Sequence, residues 1–63
     1  MKLIKLNSLI TYKFRVDIPK ENRALLSEVT DWATEMNIDA IIAQRSSYFK
    51  NEKDAIWFIL RWS

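Results

Sequence analysis

The chain has 63 residues, with ten Lys and Arg against eight Asp and Glu for a net charge of +2, and it contains no Cys, His or Gly. These absences exclude disulfide scaffolds, thiolate and imidazole metal sites, a thiol nucleophile, a proton shuttle tuned to neutral pH and glycine-rich phosphate loops. One domain over 1-63 is expected, near the lower size limit for a fold held by an apolar core alone, so a bound partner or second copy is the available source of extra stability.

In chain order, Met1 to Ile4 begin an apolar run that Lys5 and Asn7 interrupt before it could form a signal-peptide core or a membrane span. No membrane association and a cytoplasmic location are the resulting expectations. From Ile10 onward Ile10, Tyr12, Phe14, Val16 and Ile18 alternate with Thr11, Lys13, Arg15 and Asp17, which predicts a strand with one wet face. Ile4 and Leu6 keep the same parity, so a single strand from about Leu3, bent near Asn7 and Ser8, is preferred to a two-residue hairpin turn at those positions. A separate strand over 2-8 stays open on this reading.

Pro19 predicts a helix start nearby, because it presets φ and lacks an N–H that a first turn would leave unpaired. Ala24 to Asn37 then read as helix. At ~100° per residue, Leu25, Leu26, Val29, Trp32, Ala33 and Met36 fall on one stripe and are expected to form the core, with Asn37 as a left-handed stop. The β-branched and aromatic residues of 38-49, with a polar middle at Gln44 to Ser47, predict an edge strand. Its register is open, since a shift of one residue moves Arg45 to the other face. Lys50 to Lys53 read as a hairpin loop. Asp54 to Ser63, apolar on both faces at Ala55 to Leu60 and again at Trp62, read as a central strand.

The expected fold is therefore α+β, a two-layer β-α-β-β sandwich with a three-stranded antiparallel sheet in spatial order 1-3-2 and one helix on one face. Ile56, Phe58, Leu60 and Trp62 would meet the helix, leaving Trp57, Ile59 and Arg61 beside Lys13 and Arg15 on the open face. Tryptophan with flanking cations suits the anchor and rim of a protein interface. The same set could also stack on and neutralise single-stranded nucleic acid. Glu28, Asp31 and Glu35 form a secondary acidic patch that would favour a basic protein surface, but a helix ridge lacks the enclosing loop a hard cation needs.

Ser46, Ser47 and Tyr48 have no visible activating base, so no enzyme, cofactor or metal is expected. The expected function is a small non-enzymatic protein-binding protein or homodimer. Small size, abundant Asn, Lys, Ile and Ser, and the lack of Gly suggest a phage-type inhibitor or modulator of a host or defence protein. The alternative is a small RNA- or single-stranded-DNA-binding module using the sheet face.

Overall fold

A computed structural model of the chain describes residues 1-7 and 11-63. The strands are β1 Lys2–Lys5, β2 Phe14–Asp17, β3 Ala40–Ile41 and β4 Ser46–Phe49; the helices are α1 Leu26–Glu35 and α2 Glu52–Trp62, and a 3-10 turn covers Lys20–Asn22. The α+β class stands. The three-stranded 1-3-2 sheet with one helix does not: among the described residues the sheet has four antiparallel strands in the order β1-β2-β4-β3, and there are two α-helices. Among the described residues no helix is long and apolar enough to cross a membrane.

The first correction concerns residues 2-18. Lys2–Lys5 and Phe14–Asp17 pair as two antiparallel strands rather than lying in one long strand, with Lys5 opposite Phe14 and Leu6 N–H donating to the Lys13 carbonyl at 2.7 Å. The parity that grouped Ile4 with Phe14 and Val16 is overturned with it: Ile4 lies opposite Arg15 on the other face and Leu3, opposite Val16, takes the core face, because the pairing register and not a continuous alternation decides the face of β1. The turn proposed at Asn7 and Ser8, and the start of the alternation at Ile10, involve residues 8-10, which lie outside the described set. Phe14, Val16 and Ile18 do pack in the core as the alternation requires.

The second correction is the predicted edge strand, which is two short strands. Of the polar stretch Gln44 to Ser47, Gln44 and Arg45 lie in the turn between them and Ser46 and Ser47 begin β4. There Ser47 Oγ lies 3.4 Å from the Ala43 N–H and donates to its carbonyl at 3.3 Å, while Arg45 C=O accepts from Ile18 N–H at 2.8 Å. These bonds let a fully buried serine sit in a central strand without an unpaired hydroxyl.

The third correction is the largest: Asp54 to Trp62 is helical. Asn51 is extended at the N-cap position, Glu52 and Asp54 occupy the first turn and Arg61 the last, each sign favourable to the helix dipole. At 3.6 residues per turn Ala55, Phe58, Ile59 and Trp62 share the core-facing stripe, and Ala55 and Phe58 are buried. The supposed hairpin loop is thus the entry to this helix.

The α1 helix starts two residues later and ends two residues earlier than expected, with Asn37 as the left-handed stop beyond it. Asn37 takes φ 56, Asn37 N–H donates to Thr34 C=O at 3.1 Å and Ile38 N–H to Ala33 C=O at 2.8 Å. This paired closure satisfies the last carbonyls, with asparagine filling the left-handed position more often held by glycine. The core stripe is narrower than predicted. Val29 and Ala33 are buried and Trp32 packs on the core, whereas Leu25, Leu26 and Met36 are exposed.

Opposed residues of antiparallel strands share a face. Leu3, Val16 and Ser47, with Phe14, Phe49 and Ala40, face the helices; Ile4, Arg15, Tyr48 and Ile41, with Lys2, Asp17 and Ser46, form the other face. Between sheet and helices the rings run in series: Phe49 to Phe58 at 5.3 Å, Phe58 to Trp62 at 5.4 Å, and Trp62 edge-on to Trp32 at 5.0 Å. Phe58→Ala should therefore cost about 3 to 5 kcal/mol, while Ile56→Ala, exposed on the same helix, should cost under about 1 kcal/mol. Urea unfolding followed by circular dichroism measures both; equal losses would contradict the helical placement of 52-62.

Candidate functional site

The five residues expected to share the open sheet face are not brought together. Arg15 is on that face, and Lys13 is exposed beside the end of the β1–β2 ladder. Trp57, Ile59 and Arg61 are on α2, in the opposite layer. The reason is the change of period: alternation places Trp57, Ile59 and Arg61 together, whereas a helix turns Ile59 inward onto the core and leaves Trp57 and Arg61 outward.

On the sheet face Arg15 Nε approaches Asp17 Oδ1 at 3.0 Å, the one ion pair among the described residues. Both are partly exposed and two apart on one strand, so the pair adds little stability but largely cancels the charge Arg15 would offer a ligand. Its row neighbours are Tyr48 and Ile4.

A concavity lies between the helices, a groove of about 260 Å³ lined by Trp32, Met36, Trp57, Leu60 and Arg61. Its apolar walls are unusually open to solvent: Leu60 retains 74% of its surface, Met36 45% and Trp57 38%. Trp32 lies at the base of this wall because its ring is fixed by Phe58 and Trp62 beneath. Along α2, Lys53, Trp57 and Arg61 recur at four-residue spacing, and Lys53 Nζ stands 4.9 Å from the Trp57 ring centroid. Arg61 similarly lies 5.1 Å from the Trp62 ring. The acidic residues Glu28, Asp31 and Glu35 are exposed on α1, and among the described residues no group of acidic side chains gathers to hold a metal ion.

Sequence reasoning placed Leu60 and Met36 in the core, and both instead line the groove. A signal for α2 was present in Asn51, Glu52 and Asp54 followed by apolar residues at 55, 58, 59 and 62. Comparison with protein-family models, curated proteins and solved structures gives no match. The reading of the site therefore rests on its own chemistry.

Away from the groove, Tyr12 donates its hydroxyl to Asp39 Oδ1 at 2.8 Å, linking the segment before β2 to the one before β3. That hydrogen bond, then burial and the nearby negative charge, raise the Tyr12 pKa above its usual 10.0. A raised folded-state value means that this link contributes fully below the unfolded pKa and is lost as pH rises through the folded one. Absorbance titration at alkaline pH should show one tyrosine with a raised midpoint, returned toward 10 in Asp39→Asn. An unchanged titration would remove the bond.

Proposed function

We propose that this chain is a non-enzymatic protein-binding protein that docks through the groove between α1 and α2. The observation that carries this reading is the joint exposure of Trp57, Leu60 and Met36 around one concavity, beside Arg61. Contiguous exposed apolar surface on a small chain marks an interaction site. Trp, Met and Arg are also the residue types concentrated at interface centres, with Lys and Glu more suited to the rim.

Lys53 and Arg61 flank Trp57, but the exposed carboxylates Glu28, Asp31 and Glu35 on α1 support a protein rather than a nucleic acid as partner, because they repel phosphates that approach from that side. The narrower role, a phage-type inhibitor or modulator of a host or defence protein, draws its support from size and composition.

The test is retention of protein partners from the source cell on immobilised chain after nuclease treatment, followed by titration of the retained partner. Trp57→Ala should weaken that binding by about 2 kcal/mol or more as a central anchor. Leu60→Lys should abolish it while leaving the circular dichroism spectrum unchanged. Binding that disappears with nuclease, or that ignores both substitutions, would overturn the reading.

A further inference from the structure

The groove carries opposite charges on its two sides. On α1, Glu28 and Glu35 stand one turn before and one turn after Trp32, on the side away from Val29 and Ala33, with Asp31 beyond them. On α2 the flanking stripe is Lys53, Trp57 and Arg61. Asp54, nearest to this stripe, meets Asn51 Nδ2 at 3.5 Å. Among the described residues none of Glu28, Asp31, Glu35, Lys53 and Arg61 has an ion-pair partner within 4.0 Å. A uniformly basic or acidic partner would satisfy one side and be repelled by the other.

We propose that the occupant of the groove is a second copy of this chain, related by a two-fold axis that runs along the groove. This deepens the protein-docking reading and rests on it. Rotation about that axis lays the acidic side of each copy over the basic side of the other, so both rows are neutralised at once and Leu60 and Trp57 are covered from both copies. A two-fold axis across the groove would instead oppose acid to acid. The sheet edges compete poorly for association: β1 exposes Lys2 and Lys5, and β3 has two residues. An ordinary interface of about 800 Å² per partner takes less than a fifth of the 4508 Å² surface, and a net charge of +2 opposes pairing only weakly.

Analytical ultracentrifugation of the full chain from low micromolar to millimolar concentration, at low and high salt, tests the proposal. The expected result is a reversible monomer–dimer equilibrium, weakened by salt. Leu60→Lys should leave only monomer with an unchanged circular dichroism spectrum. Glu35→Lys and Arg61→Glu should each raise the dimer dissociation constant about tenfold, and the two together should restore it to near the wild-type value. A dimer that survives Leu60→Lys, or a combined variant no tighter than either single one, overturns the two-fold arrangement. A monomer throughout also overturns it, and an apolar dye then separates the two readings: binding lost in Leu60→Lys leaves the groove to another protein, and no binding removes both.

Discussion

Phe58 is the side chain on which the arrangement depends. It touches Phe49 of the sheet on one side and the tryptophans of both helices on the other, so the two layers and the two helices share one ring. A core built from so few large side chains can hold a chain this short only if each is used more than once. Tilted and edge-on contacts among them add specificity to the area buried. The helices are joined through these rings, and the space left above Trp32 is the groove.

That economy accounts for what remains exposed. Val29 joins the core with Val16 and Ile18, Ala33 is buried, and Trp32 fills the gap toward α2. Leu60 and Met36 find no further surface to cover. Burying them would need another layer. A partner that supplies it gains apolar contact without unfolding any part of the structure, which favours docking between preformed surfaces.

The local pattern in the first half was legible because its two signals are strong. Alternation at Phe14, Val16 and Ile18 and the stop at Asn37 both appear as read, since each depends on residues within one turn or strand. The second half misled for a physical reason. Ala55 to Leu60 is a short, nearly continuous apolar run, rich in β-branched and aromatic residues, and such a run fits a buried strand as well as a helix. Only the cap and charges at Asn51, Glu52, Asp54 and Arg61 distinguish the two, and a hairpin loop over 50-53 takes up Asn51 and Glu52 while Asp54 and Arg61 read as the ends of a strand. With 54-63 read as the central strand, 38-49 becomes one unbroken edge strand beside it, although the polar residues at 44-45 already mark a turn. The candidate site inherited this error, because face assignment follows directly from period; Trp57 and Arg61 kept their exposure and lost their neighbours Arg15 and Lys13.

The element order is a strand pair and a helix, then a second strand pair and a second helix, with β2 and β4 side by side at the centre of the sheet. Each strand pair closes over a short stretch of chain, whereas Phe14 meets Phe49 only after more than half the sequence has been looped out. Loop closure of that span is the expensive step, and it gains little until Phe58 is also in place. Folding of this chain should then resemble the docking of two small halves rather than growth from one end, with β2 against β4 as the event that commits both.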